Sequence, residues 1–173
     1  MKLADLVDAD LTPLKLLLDA VPPLLRQQAA AALAHKDEQL GAAWLQALSL
    51  ELESIVLQLN AAVDGFLLLL ATRLKDKNLT AAYTKKDRSV WLADLENALH
   101  FKGQELKGWD EVEATRKDSN LVKHRLGIEF AAGTDAPLSV NHVVDLTEAT
   151  VLDRFVGVRQ WLCEVANKCR TLE

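Results

Sequence analysis

The sequence predicts an all-α protein, an up-and-down helical bundle with one long central helix and a short N-terminal helical segment. Half of the residues are hydrophobic, and Leu and Ala, which both favour helix, dominate them. Only four Pro and seven Gly interrupt the chain. Apolar residues recur every three or four positions over long stretches, which is typical of helices with one buried face. At 173 residues, we expect a single domain, residues 1–173, with a sizeable core.

Charge and composition limit the functions to consider. The formal net charge is −5, the sequence pI is about 5.4 and aromatic residues make up 5% of the chain. An acidic chain does not attract nucleic acid through its bulk charge, and scarce aromatics argue against a broad base-stacking surface. Any nucleic-acid contact therefore has to come from a local basic patch.

Residues 1–36 are predicted to form short helices separated by prolines. Thr12 and Pro13 resemble a helix start, with Thr as the N-cap and Pro at the first helical position. Pro22-Pro23 is predicted to end that helix and to open another. This segment either packs on the bundle of residues 38–171 or extends from it as a partner-binding arm.

Residues 38–76 form the predicted central helix. Its stripe is Trp44, Leu48, Leu52, Ile55, Leu59, Val63, Phe66, Leu70 and Leu74. Further leucines make the middle of the helix apolar around most of its circumference, as expected of a helix with several neighbours or one at a subunit interface. We therefore expect a homodimer. The uncharged run 65–72 is far shorter than the roughly 20 residues that cross a bilayer, so we expect no membrane span.

Three further helices follow. The first covers roughly residues 88–101, with a buried face of Trp91, Leu92, Leu95 and Leu99. The second runs from Trp109 to Gly127, a typical residue after a helix C-terminus. After a loop over 131–144, the last covers about 146–171 with Asp145 as its N-cap. Its predicted buried stripe is Leu152, Phe155, Val158, Leu162, Val165 and Cys169.

The remaining chemistry-bearing residues predict no metal centre and no cofactor. Cys163 and Cys169 are six apart on one helix and point to different faces, so we interpret them as reduced thiols of a cytoplasmic protein. The four histidines form no metal-binding pair. Asp64, inside the central helix, is the least expected charge, and we interpret it as a polar contact to a neighbouring helix or subunit.

The segment 116–125 is the strongest candidate for a site, because it brings a basic cluster, an amide and a histidine together on one predicted helix. Asn120 and His124 are four residues apart, roughly 40° around the axis, so they are neighbours on one face. Lys117 is roughly 20° from His124, and the long side chain of Arg116 can reach the same face. An imidazole, an amide and cations could together hold and process a phosphate.

The order of these elements resembles the HEPN superfamily. Its motif combines an Arg, a polar residue such as Asn and, after a short gap, a His. Asn120 to His124 resembles the Asn and His part, with the usual spacing. Ser119 stands where the family has Arg, and Arg116, the nearest upstream Arg, is separated from His124 by seven residues.

The resemblance implies an RNA-directed homodimer in which two motifs face each other, often in toxin–antitoxin or phage-defence systems. It implies metal-independent transesterification, with His124 as general acid and base, Arg116 stabilising the phosphorane and Asn120 orienting. Lys117, Lys123 and Arg125 would then contact RNA. Because Ser119 replaces the Arg, an inactive relative that only binds RNA or regulates remains open.

A second function is compatible with the same residues. A lone His near a helix C-terminus is favoured by the helix dipole alone. The residues 117–120, Lys-Asp-Ser-Asn, are also an ordinary composition for a solvent-facing surface. The alternative is a non-enzymatic helical adaptor or regulatory subunit that binds a protein partner.

Overall fold

The computed structural model describes residues 2–74, 88–125 and 146–170, and for His124 and Arg125 it describes the backbone only. These residues form five α-helices and a 3₁₀ turn, with no strand among them, so the predicted all-α helical bundle is confirmed. The helices are α1 (Leu3–Ala34), α2 (Glu38–Leu74), α3 (Arg88–Leu99), α4 (Trp109–Arg125) and α5 (Glu148–Lys168). The 3₁₀ turn is Gly103–Glu105. The predicted helix end at Gly127 and the loop over 131–144 lie outside the described residues.

The 37-residue helix α2 is the centre of the bundle and contacts each of the other four helices. Its buried side chains include Leu52, Ile55, Leu59, Val63, Phe66 and Leu70, which confirms the predicted stripe over the second half of the helix. Trp44 and Leu48, at the start of the stripe, are only half-buried. Contacts within one chain therefore bury one face of the broadly apolar middle of α2.

Helix α1 is one continuous helix of 32 residues, so the predicted series of short helices is wrong. Pro13, Pro22 and Pro23 all lie inside it. Thr12 is not an N-cap, since its Oγ1 donates to the Asp8 carbonyl at 2.6 Å. The buried face of α1 is Leu3, Val7, Leu11, Leu14, Leu18, Pro22, Ala29 and Ala32. Packing of this face on α2 and α5 outweighs the hydrogen bonds that the prolines cannot donate.

The start of α5 differs from the prediction. Thr147 is the N-cap, and its Oγ1 accepts a hydrogen bond from the Thr150 backbone N–H at 3.1 Å. Asp145, the predicted cap, lies outside the described residues. Leu152 is exposed, whereas Val151 is buried. Val151 lies in line with the stripe through Phe155, and Leu152 is roughly 100° around the helix from Val151.

The start of α4 packs closely on α5. Gly108 has a φ of 88°, which favours glycine, and a side chain there would meet the backbone of Gly157. The Trp109 and Trp161 rings lie 5.9 Å apart. Trp161 is fully buried, and its Nε1 donates to the Gly103 carbonyl at 2.8 Å. These contacts fix the 3₁₀ turn and the first turn of α4 against α5.

Helix α2 is long and apolar enough to cross a membrane by length and composition alone, and half of its most apolar stretch is buried inside the structure. A core helix of a soluble protein satisfies the same criterion. The expectation that no segment spans a membrane therefore stays a prediction.

Candidate functional site

Three residues of the segment 116–125 line one cleft. Arg116, Asn120 and Lys123 lie along one face of α4, and the cleft they line has a volume of about 360 Å³. It is completed by Asn60, Asp64, Gly65 and Leu68 of α2 and by Arg88 and Trp91 of α3. The face of α4 that carries Arg116, Asn120 and Lys123 therefore lines a cleft. We call this the small cleft.

A polar network joins α2 and α3 at the wall of the small cleft. The side chain of Arg88 is 12% exposed, and its Nε donates to Asp64 Oδ1 at 2.7 Å. Arg88 Nη2 donates to Asn60 Oδ1, also at 2.7 Å. Asp64 is thus a polar contact to a neighbouring helix, as its position predicted. Arg88 Nη1 is buried and makes no hydrogen bond to any described residue, and its burial keeps this donor away from the open space of the cleft.

Arg116 is oriented by its own helix. Its Nε and Nη2 donate to the two Glu113 carboxylate oxygens at 3.1 and 2.9 Å. This hydrogen bonding holds the pKa of Glu113 below its usual value and raises the pKa of Arg116. An anion entering the cleft would therefore find the Arg116 guanidinium in place but would share it with Glu113.

The lining of the small cleft is positive although the chain is acidic. Arg88, Arg116 and Lys123 contribute three formal positive charges, and Asp64 contributes one negative charge. Lys123 is half-buried and forms no ion pair with the described residues. Lys117 is exposed and does not line the cleft. The excess of cations makes the cleft suitable for an anionic group.

Ser119 occupies the opposite face of α4. Its side chain is 0% exposed, and Thr115 and Val122 on the same face are also buried. An Arg at this position would place its charge in the bundle interior, where burial of an unpaired charge is costly. Among the side chains that the structure describes, Arg116 is the arginine of α4 that lines the small cleft.

His124 and Arg125 lie in the last turn of α4, and their side chains are outside the described part of the chain. In the backbone of α4, His124 follows Asn120 by one helical turn. The structure therefore brings together Arg116, Asn120 and Lys123 and leaves the catalytic role of His124 and the RNA contact of Arg125 as predictions.

A larger cleft adjoins the small one and shares Arg88 and Arg116 with it. Its volume is about 830 Å³. The other lining residues are Ser89, Leu92, Glu96, Asn97, Phe101, Lys102, Gln104, Trp109 and Glu113. We call this the large cleft.

Sequence reasoning missed Asn60 and Arg88, which form the wall of the small cleft. The unexpected charge of Asp64 in an apolar helix was the signal that could have found them, because a carboxylate there needs a partner. The partner itself lies 24 positions away, and no local pattern identifies it.

Within the described segments, the cysteines and acidic residues form neither a metal site nor a site with a reactive thiol. There, no group of three His, Cys, Asp or Glu side chains could hold a metal ion. Both cysteines are free thiols, and burial raises the pKa of Cys169 to about 12. A thiol so protonated at neutral pH is a poor nucleophile and a poor metal ligand.

No family model, curated protein or solved structure matches the chain. The resemblance to the HEPN superfamily therefore stays a prediction that depends on the residues of the 116–125 segment.

Proposed function

We propose that this chain is an HEPN-like, RNA-directed protein that binds RNA phosphate in the small cleft. The observation that supports the proposal is the arrangement of Arg116, Asn120 and Lys123 in one cleft, beside the positive charge of Arg88. Arginine recognises phosphate through parallel hydrogen bonds, and a lysine adds a mobile positive charge. The acidic remainder of the chain would restrict RNA to this local patch.

The catalytic form of the proposal gives His124 the chemical step. His124 would accept the proton of the ribose 2′-OH while the 2′ oxygen bonds to phosphorus. The bond from phosphorus to the 5′ oxygen would break, the protonated His124 would give its proton to the leaving oxygen, and a cyclic phosphate would remain. Arg116 would stabilise the charge on the phosphorane. The inactive form of the proposal keeps the phosphate contacts without this step.

Binding is tested with a fluorescent single-stranded RNA whose anisotropy is titrated with wild-type protein, Arg116→Ala and Lys123→Ala. We expect each variant to bind about tenfold more weakly, the loss typical of one charge-assisted phosphate contact, and all affinities to fall as salt rises. Lys168→Ala is the matched control, because Lys168 is an exposed lysine near the end of α5. Equal binding by all four proteins would overturn the proposal.

Cleavage is tested separately in EDTA with a mixed RNA pool, comparing wild type with His124→Ala. Products that disappear in the variant would assign the catalytic form. Binding without products from either protein would assign the inactive form.

A second function, a helical adaptor, is favoured by exposed leucines on α1 and on the first half of α2. They are Leu16, Leu17, Leu24, Leu33, Leu40, Leu45 and Leu50. A contiguous apolar surface is typical of a region that a partner covers, and the partner we propose for these leucines is a second copy of the chain. Light-scattering mass over a concentration series, beside a Leu24→Gln and Leu45→Gln double variant, tests this. A monomer at all concentrations would reject the self-association.

A further inference from the structure

We infer that the large cleft is a nucleobase subsite, which takes the base of a single-stranded RNA nucleotide whose phosphate lies against Arg88 and Arg116. The inference rests on the proposed function and extends it, since it assigns the part of the ligand that the small cleft leaves out. The two shared arginines line both clefts, so a phosphate held by them is next to each. The volume of about 830 Å³ is within the roughly 300–1,000 Å³ range of small-molecule sites.

An aromatic side chain provides the stacking surface. Trp109 is half-buried and lines the large cleft, together with Phe101 and Leu92. Its ring is supported from within the bundle by the ring of Trp161, which the Gly103 carbonyl holds through a hydrogen bond. A supported indole loses little conformational entropy when a base stacks on it, and such stacking tolerates any base.

Two side-chain amides provide hydrogen-bond donors and acceptors for the edge of a base. Asn97 and Gln104 line the large cleft, are exposed, and make no side-chain hydrogen bond to the described residues. Each carries an acceptor oxygen and a donor nitrogen, the pattern that pairs with base edges. An aromatic ring, free amides and two guanidinium groups therefore meet in one cleft, and a nucleotide has a matching part for each.

The two carboxylates of the large cleft accept hydrogen bonds, and three cations of the lining, Arg88, Lys102 and Arg116, outnumber them. Glu96 Oε1 accepts a hydrogen bond from the Gly103 backbone N–H at 2.6 Å. Glu113 accepts the bonds of Arg116. Because Glu96 is committed to holding the 3₁₀ turn and Glu113 to orienting Arg116, the remaining open polar groups of the cleft are amides and cations.

The test compares two probes, a short single-stranded RNA and an abasic ribose-phosphate chain of the same length, by calorimetric titration. Wild-type protein is expected to bind the RNA roughly 5- to 150-fold more tightly, the range for stacking one base on an aromatic ring. Trp109→Leu is expected to bind both probes equally. Trp44→Leu, a half-buried tryptophan on the first half of α2, is the control and should keep the preference.

The outcomes separate the two proposals. Equal binding of both probes by wild type, with Arg116→Ala weakening both, would overturn the base subsite and leave the phosphate site. Absence of binding to either probe would overturn both. If Trp109→Leu does not fold, an Asn97→Ala and Gln104→Ala double variant replaces it, since both side chains are exposed. Its unchanged preference for RNA would contradict the role of the amides.

Discussion

Two buried hydroxyl groups on α4 differ in their hydrogen bonding. Thr115 Oγ1 donates to the Glu111 carbonyl at 2.6 Å. Ser119 Oγ has no hydrogen-bond partner among the described residues, although the side chain is fully buried. A buried polar group without a partner costs about 1–3 kcal/mol, so Ser119 should lower the stability of the bundle.

Replacing Ser119 by Ala is expected to raise the free energy of unfolding by about 1 kcal/mol, because the unpaired hydroxyl is removed and Ala favours helix. Urea unfolding followed by circular dichroism measures the change. The matched control is Thr115→Val, which removes a bonded hydroxyl at nearly constant volume and should not stabilise. A lower stability of Ser119→Ala would show that the hydroxyl has a favourable contact.

The Glu113–Arg116 pair should make stability depend on pH. The hydrogen bond from Arg116 lowers the pKa of Glu113 in the folded protein below the ordinary value of 4.5. The stabilisation is therefore present above that value and is lost as pH falls through the folded pKa. Because both side chains are partly exposed, the effect should stay below about 1 kcal/mol.

The expected result is that wild type loses more stability than Glu113→Gln between about pH 6 and pH 3. Unfolding curves at a series of pH values measure the difference. Glu105→Gln is the control, because Glu105 belongs to an exposed pair with Lys102. Parallel pH profiles for wild type and Glu113→Gln would show that the pair does not contribute.

Substitution of the prolines in α1 tests whether burial of its apolar face or the local sequence determines that the helix is continuous. Pro13 and Pro23 are exposed within the helix, whereas Pro22 is buried. A proline inside a helix removes a backbone donor and crowds the preceding turn, at a cost of about 3 kcal/mol. Part of this is offset because proline also restricts the unfolded chain.

We expect Pro13→Ala to stabilise the protein by about 1–2 kcal/mol, since the new N–H can reach the carbonyl of the preceding turn. Pro22→Ala should gain less, because it also removes buried apolar contacts. Denaturant unfolding compares the two. If α1 were instead broken at Pro13, the substitution would leave stability unchanged or reduce it.

The contact between α4 and α5 depends on glycine at position 157. A Cβ added there would lie 2.5 Å from the Cβ of Glu111, so one helix would have to move. We expect Gly157→Ala to destabilise by about 1–3 kcal/mol. Gly65→Ala is the matched control on α2, where the added Cβ would meet no atom within 4 Å. That control should stabilise by about 0.5–1 kcal/mol, and thermal unfolding compares the two variants.

Buried residues are concentrated at one end of the bundle and are few at the other. After Leu18, α1 buries only Pro22, Ala29 and Ala32, and before Leu52, α2 buries only Gly41. The second half of α2 is surrounded by the other helices and contains most of its buried residues. The α1–α2 hairpin between residues 19 and 51 therefore depends mainly on contacts between its own two helices.

Backbone amides of this hairpin are expected to exchange with solvent at least about tenfold faster than those of α2 beyond Leu52, because fewer apolar contacts oppose opening. Hydrogen exchange followed by mass spectrometry measures this by segment. Repeating it across protein concentrations provides the control. Protection that rises with concentration would indicate that a second copy covers the exposed leucines, and uniform protection at low concentration would contradict the prediction.

Periodicity predicted the central helix, α3 and α4 within the described residues, because a long apolar stripe can be satisfied only by burial on one face. Periodicity and capping patterns were less accurate where a prediction depended on a single residue. Leu152 was assigned to the core of α5, but the helix phase buries Val151. The cap of α5 was assigned to Asp145, whereas Thr147 forms it.

Within the candidate site, the sequence placed Arg116 and Asn120 together, since residues four apart share a helix face. It could not place Arg88 with Asp64, because that ion pair joins two helices. It also did not predict aromatic side chains in the lining of the site. Aromatic residues are few, and only folding brings Trp109 and Phe101 to the same cleft as the arginines.

The sequence by itself determined the helical class, the dominance of the central helix and the polar face of α4, because helix propensity and periodicity act between residues close in the chain. The tertiary structure alone decided that α1 continues through its prolines, that Ser119 turns inward and that Arg88 completes the cleft. These outcomes depend on burial and ion pairing between distant segments, and such interactions outweigh local preferences when a whole helix face is packed.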